Sequence, residues 1–125
     1  MNSLLETYLE KLFFEDDYIR HITDITSQYF EKDIIIFETH KDIQLGLLRY
    51  TDPPIGKIFI FKLPEEKEIA FHTNGMRFPI DIYFFDRNGY LVKRYKNAFP
   101  GISYIPSDKP AKYVIEIPVA YPQIA

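Results

Sequence analysis

Apolar residues recur at helical spacing through the first part of the chain. Ser3 followed by Glu6 is a capping-box pattern, and Leu4, Leu5, Tyr8, Leu9, Leu12 and Phe13 share one face, which predicts a helix at about residues 3–14. Asp16 and Asp17 interrupt the pattern and can cap a second helix. Its apolar face carries Tyr18, Ile19, Ile22, Ile25 and Tyr29, with Asp24 and Gln28 opposite. Thr23, Ile25 and Thr26 lower its helix propensity. Together the two segments read as a helical hairpin, an N-terminal extension over residues 1–32 whose apolar stripes must cover either the body of this chain or another protomer.

From Asp33 the period changes. Ile34–Phe37 is a short continuous apolar run, as expected of a strand buried on both faces, whereas Ile43–Tyr50 fits a helical turn or a strand. After Asp52-Pro53-Pro54, Lys57–Leu63 leads through Pro64-Glu65-Glu66 into Lys67–Thr73, which predicts a hairpin. Pro79–Asp86 leads through Arg87-Asn88-Gly89 into Tyr90–Lys96, and Asn-Gly between two apolar runs is a strong hairpin signal. A Pro-rich connection without regular structure follows, and Lys112–Ile117 is the last strand. Strands that are apolar on both faces need closure or cover on each side. The expected fold class is mainly β (α+β): a compact antiparallel, barrel-like β domain over residues 33–125, with the helical hairpin on one face.

Composition narrows the functional classes. The absence of cysteine excludes a disulfide framework, a thiolate zinc site and a Cys nucleophile. Residues 1–33 hold eight acids against three bases and the remainder ten against twelve, far from the positive excess of a typical nucleic-acid binder. The first residues carry Glu6 and Glu10 with no basic n-region, and no apolar run approaches ~18 residues. A soluble, cytoplasmic protein is therefore expected, with no membrane partner.

The run from Phe71-His72-Thr73 through Gly75-Met76-Arg77-Phe78-Pro79-Ile80-Asp81 to Asn88-Gly89 resembles the signature of the DUF192 family, small prokaryotic proteins of unestablished biochemical role. A Gly-Met-x-Phe-Pro-Ile-Asp version of that signature is similar to this chain. Leu45-Gly46-Leu47-Leu48-Arg49 resembles the family's Gly-Leu-Met-Phe-Arg segment. Ala98-Phe99-Pro100-Gly101 and Pro110–Pro118 resemble its closing segment, so the likeness spans roughly residues 33–119. The chain departs from the pattern at His72, where Trp is usual, at Gly75 and Met76, and at Arg49, which falls one position early. The resemblance implies a compact β fold and no known reaction, cofactor or substrate.

Four polar residues are candidates for chemistry. Asp81, between Ile80 and Ile82, is expected to be buried and partnered. It either pins the Phe78-Pro79 turn or pairs with Arg49 or Arg77, or it serves as an acid/base in a cleft. His72 reads as a satisfied strand histidine before it reads as a ligand. Glu116 alternates onto the face of Val114 and reads as a solvated or ion-paired strand residue, with a functional carboxylate as the alternative. A two-carboxylate site with Asp81 would need a separation that sequence does not supply.

No His-x-His or His-Glu-x-x-His spacing, Gly-x-Ser-x-Gly elbow or glycine-rich phosphate loop occurs, so no metal and no cofactor are expected. Ser103, Tyr104, Ser107 and Asp108 lie in the Pro-rich connection, a long loop of the kind that often carries function, but without a positioned base its Ser and Asp residues read as turn-formers. Arg87, Lys93, Arg94 and Lys96, interleaved with Tyr90 and Tyr95, either guard a sheet edge or hold single-stranded nucleic acid, and the edge role is the expectation. The preferred function is a non-catalytic binding or interaction module for a small molecule or a protein, with the N-terminal helices mediating self-association or partner contact. The alternative is a small enzyme with Asp81 as acid/base and His72, Arg49 or Glu116 as helpers.

Overall fold

A computed structural model of the protein describes residues 19–29 and 33–120. The strands are β1 (Ile34–Phe37), β2 (Ile58–Lys67), β3 (Ala70–Phe71), β4 (Ile80–Phe85), β5 (Leu91–Ala98), β6 (Ile105–Pro106) and β7 (Ala111–Pro118). Five of them form one sheet in the order β1-β2-β7-β4-β5, and β3 pairs with β6 in a separate ribbon. β1 runs parallel to β2, while β2–β7, β7–β4 and β4–β5 are antiparallel. The sheet is therefore mixed. Helix α1 (Ile22–Thr26) precedes it, and α2 (His40–Leu45) with a 3-10 turn (Gly46–Arg49) links β1 to β2.

The two faces of the sheet follow from strand alternation. One face carries Phe59, Phe61, Leu63, Ile80, Ile82, Phe84 and Val114, and it is buried beneath the α2 region and the β3–β6 ribbon with Leu47, Phe78 and Ile105. The other carries Ile58, Ile60, Tyr83, Phe85 and Ile115 and packs against Ile19, Ile22, Ile25 and Tyr29. Each face thus has its own cover. For that reason the sheet stays open rather than closing into the expected barrel: separate layers shield both greasy sides, and β1 and β5 are its two edges.

The β4–β5 hairpin forms at Asn88-Gly89 as the sequence predicts. Asp86 Oδ1 accepts the N–H groups of Asn88 and Tyr90, both at 2.9 Å, and Gly89 takes φ +85. The hairpin expected between Lys57–Leu63 and Lys67–Thr73 does not form. β2 instead runs on through Pro64 to Lys67, and β3 pairs with β6. Against β7, Lys62 faces Tyr113 and Lys67 faces Ala111, so the segment around Pro64, which has no N–H to give the ladder, bulges out. The Lys112 ammonium fills the gap, donating to the carbonyls of Leu63 at 2.6 Å and Pro64 at 3.1 Å.

Three further expectations change. β1 is an edge strand with Ile36 55% exposed, not a strand buried on both faces. Of the ambiguous stretch 43–50, residues 43–49 take the helical alternative, as helix and 3-10 turn, and Tyr50 is extended. Of the second N-terminal helix, Ile22–Thr26 is the helical part among the described residues, with His21 as its cap, and the first helix of the expected hairpin lies outside the described residues. The β-branched run Ile22-Thr23 and Ile25-Thr26 explains the short length.

Candidate functional site

Glu116 lies mid-strand in β7, opposite Phe59 of β2 and Ile82 of β4. Alternation sends its side chain onto the face roofed by the α2 region and β3. Strand position alone could not foretell that roof, and Glu116 is 4% exposed rather than solvated. No hydrogen bond or ion pair reaches its carboxyl group among the described residues, and no fully occluded side-chain oxygen or nitrogen there lacks a partner. The carboxyl oxygens therefore open into the adjoining space.

That space is a cleft of about 230 Å³ between the α2–3-10 segment and β3. Leu45, Leu47, Leu48 and Ile43 form one wall, Ile69, Phe71 and Met76 the other, with Phe61 and Glu116 on the sheet beneath. Gly46 packs beside the Phe61 ring at φ +50, a backbone conformation that favours glycine, although a Cβ there would reach the ring only at an ordinary contact distance of 3.4 Å. The cleft is largely apolar. Gln44, His72 and Glu116 supply its side-chain polar groups. Burial without a partner pushes the Glu116 carboxyl up to about 8, so it is mostly a neutral acid at pH 7.

His72 stands exposed at the mouth of this cleft, one residue past the end of β3 rather than within a strand as expected, next to Phe71. Its Nδ1 accepts the Asn74 N–H at 3.1 Å, which leaves the ring proton of the neutral form on Nε2. Thr73, fully buried, anchors the segment: its hydroxyl donates to the Phe99 carbonyl at 2.7 Å and accepts the Ile102 N–H at 2.9 Å. Ser107 does the same at the other end, accepting the Ile69 N–H at 3.0 Å and donating to the Lys109 carbonyl at 2.7 Å. These two hydroxyls hold the β3 wall in place. Thr73 carried no sequence signal, because its partners lie about thirty residues away.

The remaining candidates fall elsewhere. Asp81 faces the opposite side of the sheet from Glu116, since its strand partner is Ile117 and its neighbour Ile82 faces Glu116. Asp81 is partnered, though by neither Arg49 nor Arg77: Lys96 Nζ lies 3.0 Å from Oδ2, and Oδ1 accepts the Asn97 N–H at 2.8 Å. This carboxylate holds a bulge in β5, where the register skips between Ile80↔Ala98 and Ile82↔Tyr95 and Asn97 takes φ +54. Burial works against the Lys96 ammonium, but the Tyr83 hydroxyl and Asp81 beside it outweigh that and raise its pKa above the usual lysine value.

Arg49 is spent on its own corner, with Nε donating to the Gly46 carbonyl at 2.9 Å, the guanidinium 3.4 Å from Asp42, and its plane 4.5 Å over the Phe37 ring. Of the four candidates, the structure brings together only Glu116 and His72. Among the described residues no group of three His, Asp or Glu could hold a metal ion. On the basic–aromatic edge strand, Lys93 pairs with Asp108 at 3.1 Å and the Tyr95 hydroxyl donates to the Pro106 carbonyl at 2.6 Å, so much of its polar surface is already engaged. No helix among the described residues is long and apolar enough to cross a membrane.

Comparison with known proteins places this architecture. The family model DUF192, described as an uncharacterized ACR group, matches residues 21–121. A crystal structure of a candidate transcription regulator from Sinorhizobium meliloti 1021 is similar in fold, with a TM-score of 0.64 and 20% identity over 69% of this chain and 67% of that one. So is a protein of unknown function from Novosphingobium aromaticivorans DSM 12444, with a TM-score of 0.63 and 22% identity over 68% of this chain and 61% of that one. At such identities the likeness is one of fold. No curated protein matches the chain.

Proposed function

This chain belongs to the DUF192 family, and from that premise we propose that it is a small-molecule-binding module whose ligand sits in the cleft between the 3-10 turn and β3. One observation carries the reading. A buried, unpartnered carboxyl group opens into an otherwise apolar cleft, and a fold retains such a group at a cost in stability. A ligand supplying the missing partner offsets that cost on binding. The cleft has the form of a small-ligand site, concave and apolar with a few converging polar groups.

An enzyme with Asp81 as acid/base has less support, since Asp81 is held by Lys96 and the Asn97 N–H on the far face. If proton transfer occurs in this protein, Glu116 is the better-placed carboxyl, with His72 at the mouth.

Toluene, titrated into the protein and followed in methyl spectra, tests the cleft. Shifts concentrated at Ile43, Leu47, Leu48, Ile69 and Met76, which border it, are the expected result. Shifts absent there, or no larger than those of the exposed Ile36 and Ile55, would remove the reading.

A further inference from the structure

We propose that the cleft selects a ligand carrying a primary ammonium group on a compact apolar body, with Glu116 as its counter-ion. The inference rests on the ligand-binding reading above and specifies the chemistry of the same site. It starts from the inventory of charge. Glu116 is the one acid among the groups that border the cleft, and no Lys or Arg borders it among the described residues. From β2 and β4, Phe59 and Ile82 lie opposite Glu116 and Phe61 lies on the same face beside them, none of them charged. The α2 segment contributes Gln44, and the β3 segment contributes His72 at the rim.

An anionic ligand would therefore find no cation at depth. A neutral apolar ligand would leave the carboxyl as orphaned as before. An ammonium group supplies up to three donors and the one charge that lets the carboxyl ionise in a dry site. The rings of Phe61 and Phe71, packed edge to face at 5.3 Å, border the same space and favour a cation over an anion.

Binding of this kind moves a proton. At pH 7 the free protein holds Glu116 as COOH and the ligand arrives as an ammonium ion. The complex pairs carboxylate with ammonium, so one proton leaves Glu116 for solvent and no other bond changes. With the carboxyl at about 8 in the free protein, about 0.9 proton is released per ligand at pH 7, falling to about 0.1 at pH 9. Affinity rises with the ionised fraction, about fiftyfold from pH 6 to pH 8.

The test uses benzylamine, a cation from pH 6 to pH 8, with benzyl alcohol and benzoate as matched probes. Calorimetry in two buffers of different ionisation enthalpy reads the proton count, and spectral titration reads affinity. The expected result is that benzylamine binds more tightly than benzyl alcohol at pH 8 and releases a proton at pH 7. Its affinity should climb with pH while that of benzyl alcohol stays flat. Glu116→Gln, close in shape and uncharged, abolishes both the amine preference and the proton release. His72→Gln keeps the climb, which separates Glu116 from the histidine at the rim.

Equal affinities for amine and alcohol without proton release would overturn the ammonium proposal and leave the ligand-binding cleft standing. So would tighter binding of benzoate. Failure of all three probes to bind in the cleft would overturn both. The wild-type pH series needs no variant, so a poorly folded Glu116→Gln protein does not spare the proposal.

Discussion

Glu116 couples the stability of the protein to pH in an unusual direction. Its carboxyl titrates near the ordinary value of 4.5 in the unfolded chain and at about 8 in the fold, so the native state holds the extra proton between those limits. Stability is greatest below pH 4.5 as far as this group is concerned, and it falls as pH rises through the window, with a limiting slope of roughly 1.4 kcal/mol per pH unit. Urea midpoints taken from pH 5 to pH 8 are expected to fall in the wild type and to hold nearly level in Glu116→Gln. A wild-type midpoint that stays as level as the variant's across the window would show that Glu116 is ionised in the fold as it is in the unfolded chain. Asp81 is the instructive contrast. It too sits in a central strand, but a lysine and a backbone N–H reach it, and its work is to hold a bulge.

Two elements depend on contacts that cross the chain. At the β4–β5 turn, Gly89 lies under the His21 ring, whose Nδ1 accepts the Thr23 N–H at 3.3 Å while Nε2 lies 2.8 Å from the Asn88 carbonyl. A Cβ on Gly89 would meet His21 Nε2 at 2.7 Å, on a backbone already at φ +85. Gly89→Ala is expected to cost roughly 2–4 kcal/mol in urea unfolding, from backbone strain and the clash together. In a His21→Ala background the same substitution should cost about 1 kcal/mol less, since the clash with the ring is gone while the backbone strain and the 3.0 Å approach to Ile22 Cγ2 remain. Additive costs in the double mutant would mean the ring and the turn are not in contact. At the bulge in β2, Lys112→Met leaves the Leu63 and Pro64 carbonyls without their donor, and a loss of about 1–3 kcal/mol is expected by the same measurement.

At the scale of the whole molecule, one sheet serves two cores, and each core needs its own lid. Ile25, 2% exposed, is the buried anchor of the short α1 layer on the Tyr83–Phe85 face. Ile25→Ala is expected to cost about 2–4 kcal/mol and to unfold in a single transition, because both faces share every central strand. Amide exchange in β4 should quicken with it. If exchange quickens only in residues 19–29, the layer is an accessory rather than a structural lid. Membership of the family from residue 21 onward agrees with α1 belonging to the fold.

Local chemistry determined what can be read without long-range contacts. The Asn88-Gly89 hairpin, the strand at residues 111–118, the helical spacing around Ile22 and Ile25, and the two-faced greasiness of β2 and β4 all follow from neighbours within a few residues. The family resemblance was legible for the same reason, in motifs that keep their order. Only the tertiary structure decided that β2 pairs with β7 and β1 rather than with β3, that separate layers replace barrel closure, and that Asp81 and Glu116 point to opposite sides. The physical reason is that strand periodicity places a residue on one of two faces but says nothing of what covers that face. For Glu116 the roof, contributed by residues some 40 to 70 positions earlier in the chain, turns a surface carboxylate into a buried acid.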